Sequence, residues 1–348
     1  MDETAYVRAL LLDLEGELER AKDRRIETIF IGGGTPSLFR AESIATLLEG
    51  VKQRAPLSAD AEITLEANPG TAESGKFTGF RQAGVNRLSI GVQSFDAGHL
   101  GRLGRIHGRE EALQAVALAR EAGFDQINLD LMFGLPEQTL DEVLADIRQA
   151  LSLAPSHLSF YQLTLEPNTL FQKYPPPLPD EDTVWGLQQA SQSLLRQHGF
   201  FQYEVSAYSL PGARCRHNMN YWQFGDYLGI GAGAHGKITN DDNALTRTWK
   251  IRHPQHYLDA AGQCERQGGQ AEIARDDVRF EFLMNALRLC EGFTLPLFRA
   301  RTGLDPMALE PELSACVSEG LLEITQGHVR CSAAGFNFLD SVLQRFLT

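Results

Sequence analysis

The stretch TIFIGGGTPSLF, Thr28 to Phe39, runs from a short β-rich segment straight into three glycines. Glycine inside a regular element costs about 0.5–1 kcal/mol relative to alanine. Three in succession at a strand end therefore mark a sharp turn, or backbone that must lie against a ligand. The same strand-then-polar-end pattern recurs downstream. Strands are predicted at Thr28–Ile31, Glu62–Glu66, Arg87–Val92, Gln126–Leu131 and His157–Thr164. Helical runs lie between them. Ile44, Leu47, Leu48 and Val51 follow i, i+3, i+4, i+7 spacing, as do Leu140, Val143, Leu144 and Ile147 behind a capping box of Thr139 and Glu142. Ala112, Leu113, Val116 and Ala119 mark a further helix that stops at Gly123. Strand–helix repeats of this length predict an α/β fold with parallel strands and right-handed crossovers. Such strands are expected to be apolar on both faces.

The run Tyr174–Pro179 breaks the alternation as a stiff extended connector. Beyond it a helix over Thr183–Gln197 and a strand over Tyr203–Tyr208 are expected to close the first domain. From about Arg275 the pattern becomes helix, short helix, helix, then LLEITQGHVRCSAAG as a small β-wing, then a last helix. This is winged-helix-like, without a basic recognition helix. The expected division is residues 1–210, a connecting region 211–274, and a C-terminal domain 275–348.

With 348 residues, 43% of them hydrophobic, the chain can bury a large core. Its formal net charge of -13 argues against a general binder of nucleic acid or anionic membrane. No apolar run is long enough to span a bilayer, and the acidic start MDETAYVRALLLDLEGELER is not a signal peptide. A cytoplasmic location is expected. The cysteines, Cys215, Cys264, Cys290, Cys316 and Cys331, show no C-x2-C or C-x3-C spacing and read as reduced thiols.

Parallel βα folds bind ligands at the carboxyl ends of their strands. Those ends carry Gly32-Gly33-Gly34-Thr35, Glu66, Gln93 (followed by Arg105 and His107), Asp130, and Thr164 with Glu166. Singly, each has a bland reading: a helix cap, a satisfied amide, a solvated arginine, a tight turn, or a phosphate cradle as in sugar-phosphate barrels. Together they describe one polar pocket. Two carboxylates, an amide and a guanidinium suit a ligand with hydroxyls, an amine and a carboxylate, and Glu66 and Asp130 would repel a purely anionic phosphate. A second constellation, CRHNMNYWQFGDYLGIGAGAHG (Cys215 to Gly236), reads either as a polar loop with tucked aromatics or as a seat for a flat aromatic ligand. In the second case Tyr221 and Trp222 would hold the ligand, with His217 as an axial iron ligand. Cys215 and His217 alone make a poor zinc site.

GGGTPS, LEANPG, RLSIGVQSF, LGRIHG, NLDLMFGLPEQT, YQLTLEPNTLF and HNMNYW, in this order, resemble the HemW-type radical S-adenosylmethionine proteins. These are heme chaperones related to the oxygen-independent coproporphyrinogen III oxidase, and the resemblance spans nearly the whole chain. It implies a partial (β/α)6 barrel followed by the small, mostly α, winged-helix-like domain. It implies that Gly33, Gly34 and Thr35 contact S-adenosylmethionine and that Glu66 holds it beside a [4Fe–4S] cluster. Gln93, Arg105, Asp130 and Thr164 would match a second S-adenosylmethionine site of the oxidase relative. HNMNYW would be the heme-associated motif, with His217 the heme ligand. The implied partners are heme and heme-accepting apo-proteins, and neither the acceptor nor an electron donor is named by the sequence. The alternative function is that of the oxidase itself, radical decarboxylation in porphyrin biosynthesis.

The family pattern begins with a strand and a C-x3-C-x2-C loop that holds the cluster, whereas the first cysteine here is Cys215. The barrel is thus expected to lack its first strand, leaving the strand of Ile29 and Ile31 as an edge. The expected reason is that Met1 is an internal methionine of a longer protein, in which the cluster would be found. A natural short form without radical chemistry is the alternative. In either case this chain, as it stands, is not expected to cleave S-adenosylmethionine reductively, and anaerobic formation of 5′-deoxyadenosine by it would overturn that expectation.

Overall fold

The computed structural model describes residues 2–70, 75–167, 169–262 and 266–347; Cys264 lies outside them. The chain forms two compact units. One comprises Thr28–Ala45 and Glu62–Cys215, the other Met1–Glu27, Thr46–Ala61 and Arg216–Thr348.

The main sheet takes β1 (Ile26–Ile31), β2 (Leu57–Ala67), β3 (Arg87–Gln93), β4 (Gln126–Phe133), β5 (His157–Gln162), β6 (Phe201–Glu204) and β7 (Ala207–Ser209), in the order β1-β2-β3-β4-β5-β7-β6. Strands β2 to β5 pair in parallel, as the alternation predicts, and β1 is an edge. The expected single strand over Tyr203–Tyr208 is instead a hairpin. Strands β6 and β7 pair antiparallel with each other, and β7 pairs antiparallel with β5. Residue Ser206 sits in its turn and accepts from the Phe160 N–H at 2.7 Å. Strand β5 ends at Gln162, before Thr164.

The helices that cross between strands include α2 (Ala41–Arg54), α3 (Phe77–Ala83), α5 (Arg109–Glu121) and α6 (Leu140–Ser152), with the short α4 (Ala97–Arg102) ahead of α5. Thr139 caps α6, with its Oγ1 and the Glu142 carboxylate bonding reciprocally to backbone N–H groups. The helices bury Phe77, Phe80, Ala115, Val116, Val143 and Ile147. The strands bury Leu65, Leu88, Ile90, Ile127, Leu129 and Leu158. These strand residues alternate with a second set that is polar: Glu66, Ser89, Asn128, Asp130, His157 and Ser159. The expectation of two apolar faces is therefore corrected. Period two puts the second set on the other face, and there the sheet carries a site instead of a core.

After the short α7 (Leu170–Lys173) and α8 (Glu181–Gln197) the chain reaches α9 (Arg216–Trp222). A three-stranded antiparallel sheet of β8 (His235–Thr239), β9 (Leu245–Lys250) and β10 (Gln267–Glu272) follows, with α10 (Pro254–Asp259) between β9 and β10. The sequence reading has no strand in this region, because the buried positions include the charged Lys237 and Lys250. Lys250 of β9 is buried against the N-terminal helix α1 (Glu3–Ala21), its Nζ 2.8 Å from Asp13 and 2.5 Å from Glu17. The Tyr257 hydroxyl donates to Asp13 at 2.6 Å. Lys237 of β8 is buried under the Phe224 ring and donates to Asp226, and burial lowers its pKa to about 8.

The C-terminal segment contains α11 (Arg275–Ala286), α12 (Leu295–Thr302), α13 (Glu312–Ser318), α14 (Ala333–Asn337) and α15 (Leu339–Gln344). A small sheet, β11 (Phe293–Thr294), β12 (Leu322–Thr325) and β13 (His328–Cys331), completes it, with β12–β13 as the expected wing. Phe282 is fully buried, its ring 4.9, 5.1 and 5.8 Å from those of Phe293, Phe298 and Phe224. Among the described residues Cys215, Cys290, Cys316 and Cys331 are not joined by disulfides. Phe282→Ala should destabilise this unit by about 3–5 kcal/mol through loss of contacts and the cavity left behind. Denaturant unfolding followed by fluorescence measures it, and a loss below about 1 kcal/mol would contradict the central placement of this ring.

Candidate functional site

The carboxyl ends of β1 to β4 converge on a cavity of about 200 Å³. Gly34 and Thr35 line it after β1, Glu66 and Asn68 at β2, Ser89 and Gln93 on β3, Asp130 on β4, and Arg105 from the loop before α5. Of the residues singled out in the sequence, the structure brings together Gly34, Thr35, Glu66, Gln93, Arg105 and Asp130. Gly33 adjoins them through its N–H, which donates to Glu66 Oε2 at 3.2 Å. Thr164 is not brought to the cavity lining. It lies exposed beyond β5, its hydroxyl donating to Glu166 at 2.8 Å.

The opening glycines divide the work. A Cβ on Gly32 would stand 2.4 Å from the Phe30 ring and 3.0 Å from Glu66 Oε2, so Gly32 makes room first for that ring and then for the Glu66 carboxylate. Gly33 has φ +110°, a conformation side chains disfavour. A Cβ on Gly34 would meet nothing within 4 Å.

Gln93 is held with unusual firmness. Strand β3 shifts register between Ile90 and Gln93, and Gln93 takes φ +69°. The next two residues are clamped by Asp146 of α6, which accepts from Ser94 Oγ at 2.6 Å and from the Phe95 N–H at 2.8 Å. The Tyr161 hydroxyl donates to Gln93 Oε1 at 2.8 Å, so the Gln93 amide turns its remaining hydrogen-bonding capacity, as a donor, elsewhere. Burial, then the Asp130 charge, pushes the Tyr161 hydroxyl up to about 12, which keeps it a donor. Asp130 accepts from Asn128 Nδ2 at 2.7 Å and contacts Ser89 Oγ at 3.5 Å. Burial raises the pKa of Asp130 and hydrogen bonds from Asn128, Ser159 and Ser89 oppose the rise, with a smaller contribution from Arg105. Burial likewise raises Glu66, partly offset by the Gly33 N–H, while the Asp130 charge adds to the rise. The site thus sets acceptors (Glu66, Asp130) against donors (Arg105, the Gln93 amide), which suits a zwitterionic ligand with hydroxyls.

Sequence reasoning missed Tyr161, Ser89 and Asp146. The first two lie at i+2 spacings along strands whose polar face went unread. Asp146 is a carboxylate inside the apolar stripe of α6, a signal available from periodicity.

The second constellation lies in the other unit. His217, Tyr221 and Trp222 sit on α9, all half-buried. The His217 and Tyr221 rings meet edge-on at 4.7 Å, and the Tyr221 ring is 4.6 Å from that of Tyr227. The Arg288 guanidinium lies over Trp222 at 4.3 Å, and Trp222 Nε1 is buried without a hydrogen-bond partner. Burial raises the Tyr221 hydroxyl to about 12. Among the described residues no cluster of three or more His, Cys, Asp or Glu is arranged to hold a metal ion.

Comparison with known proteins fits this geometry. The profile of the Radical SAM superfamily matches residues 5–150 and that of the HemN C-terminal domain matches residues 273–338. The protein named "Heme chaperone HemW" in Escherichia coli (strain K12) is 49% identical over 342 residues, covering 98% of this chain and 89% of that protein. The chain belongs to the HemW family. HemW of Haemophilus influenzae is 46% identical over 99% of this chain. A mitochondrial "Radical S-adenosyl methionine domain-containing protein 1" of Bos taurus is 37% identical. The solved structure of E. coli coproporphyrinogen III oxidase (HemN), a radical SAM enzyme, superposes with TM-score 0.80 over 99% of this chain and 83% of that one. At 20% identity it shares the fold of this HemW-family chain.

The raised pKa of Glu66 fixes the sign of a pH effect. Its folded-state pKa exceeds its unfolded value, so folding takes up a proton and stability falls as pH rises through the carboxylate range. Glu66→Gln keeps an oxygen for the Gly33 N–H and removes that penalty. The variant should be slightly more stable than the parent at neutral pH and show no advantage at acid pH. Thermal unfolding at the two pH values checks this, and an unchanged difference between them would refute the assignment.

Proposed function

We propose that this chain is a heme chaperone of the HemW type. It binds S-adenosylmethionine in the strand-end pocket and heme at α9, and delivers heme to acceptor apo-proteins. The observation that carries the reading is the near-complete alignment, at 49% identity, with a protein named for that role. The pocket supports it. Gly34, open and without a packing reason of its own, together with Gly33 and Thr35, would receive the methionyl part of the cofactor. Glu66 and Asp130 would accept from its ammonium and ribose hydroxyls, and the Gln93 amide and Arg105 would donate to its carboxylate. Neither Thr164 nor the number of cofactor molecules enters this reading. In a form that carries the cysteine loop, a [4Fe–4S] cluster would supply redox chemistry beside the cofactor. The residues described here bind and orient.

At α9, His217 offers an imidazole nitrogen to iron. The Tyr221 and Trp222 rings offer apolar surface to a porphyrin, and the Arg288 guanidinium offers a counter-charge to its propionates. No helix of the described residues is long and apolar enough to cross a membrane, and we place the protein in the cytoplasm.

Titration with heme followed by the Soret band tests the reading. The chain should bind heme, and His217→Ala should weaken binding by about tenfold or more with a changed spectrum. Coproporphyrinogen should not be decarboxylated when supplied. Decarboxylation by the protein, or heme binding indifferent to His217, would favour the oxidase or displace the site.

A further inference from the structure

Beneath the pocket runs a line of polar side chains that ends on Asp130. Asn128 and Asp130 share one face of β4, paired with His157 and Ser159 of β5. Four groups bond head to tail. Tyr203 OH lies 2.8 Å from His157 Nε2, His157 Nδ1 lies 2.6 Å from Asn128 Oδ1, and Asn128 Nδ2 lies 2.7 Å from Asp130 Oδ1. His157, Asn128 and Tyr203 are each at most 4% exposed.

With Asp130 ionised, the direction of every bond follows. An ionised Asp130 only accepts, so the Asn128 atom facing it is the amide nitrogen. The Asn128 oxygen then faces His157 Nδ1, and also accepts from Ser159 Oγ at 3.2 Å. The proton of the imidazole must therefore sit on Nδ1. Burial, with the Arg87 charge acting in the same direction, holds the His157 pKa well below 6.5, so the ring is neutral. Its Nε2 is an acceptor, and the Tyr203 hydroxyl must donate to it.

We propose that Tyr203, His157 and Asn128 form a one-way hydrogen-bond relay that holds Asp130 ionised and aimed at the ligand, and so act as positioning residues of the pocket. The inference rests on reading that pocket as the S-adenosylmethionine site. The relay has only two consistent settings. If the imidazole proton moves to Nε2, Asn128 must turn its amide over and present oxygen to Asp130, and two acceptors 2.7 Å apart require Asp130 to be protonated. The Tyr203 hydroxyl, which can donate to Nε2 only when that nitrogen is bare, biases the first setting. Other charged or titratable groups surround the line: Glu66 from β2, Arg87 from β3, Arg105 from the loop before α5 and Tyr161 from β5. The Asp130 charge opposes ionisation of Glu66, Arg105 favours ionisation of Asp130 from an exposed position, and Arg87 acts at His157. Neutral donors therefore carry most of the task. At the far end, Tyr203 lies beneath Arg214 and beside Cys215.

The test has two parts on the full chain. Imidazole ¹⁵N spectra of the unliganded protein should show His157 neutral and protonated on Nδ1 from about pH 6 to 8. Tyr203→Phe removes one hydroxyl without touching Asp130. It should shift the His157 spectrum toward the Nε2–H tautomer, weaken S-adenosylmethionine binding about tenfold at neutral pH, and move the acid limb of the affinity–pH profile to higher pH. An Nε2–H or charged His157 in the parent chain would overturn the relay, and so would a Tyr203→Phe profile that superposes on the parent's. The parent spectrum decides the matter even if the variant fails to fold. If the parent chain binds no S-adenosylmethionine, the proposed function falls while the tautomer still judges the relay.

Discussion

A carboxylate set among the strands of a parallel sheet stays ionised only if donors meet it, and Asp130 imposes that condition on this fold. Its neighbours on the same face of the sheet cannot be the valines and isoleucines that usually fill parallel strands. They are serine, asparagine and histidine, each fixed by the donor it must supply. The other face of the same strands is free of this demand and packs apolar residues against α3, α5 and α6. One face builds stability and the other builds a ligand site, and the alternation of the strand keeps the two apart.

This division explains what was legible in the sequence. The parallel order of β2 to β5 was readable because the helix-facing residues Leu88, Ile90, Ile127 and Leu129 are apolar and helical stripes separate them. Glu66 and Gln93 were readable because they stand at or beside strand ends, and Asp130 because its strand was expected to stop at Leu131, although β4 runs on to Phe133. The role of Gly32 was not readable: a Cβ there would collide with the Phe30 ring and crowd Glu66, 34 residues away in the chain, and only the fold shows both contacts. Thr164 was placed at a strand end that β5 does not reach. The turn at Ser206, which splits one expected strand into β6 and β7, carries no glycine or proline to announce it. The sheet of β8, β9 and β10 escaped because its buried positions include Lys237 and Lys250, whose partners Asp226, Asp13 and Glu17 turn charge into core. Hydrophobic periodicity is blind to a strand stabilised that way.

The two constellations obey different physics. The strand-end pocket is rigid and directional: a clamped left-handed glutamine, carboxylates with assigned donors, and a glycine turn fitted around Glu66. The α9 group is a half-buried aromatic surface with one imidazole and a nearby guanidinium, suited to a large flat ligand that must also be released. Each lies in its own compact unit.

The most direct test of this account is a crystal structure of the full chain with S-adenosylmethionine. The account predicts density for the cofactor against Gly34 and Thr35, within hydrogen-bonding distance of Glu66, Gln93 and Asp130, with α9 left free. Density for the cofactor at α9, or a strand-end pocket that stays empty at saturating concentration, would contradict it.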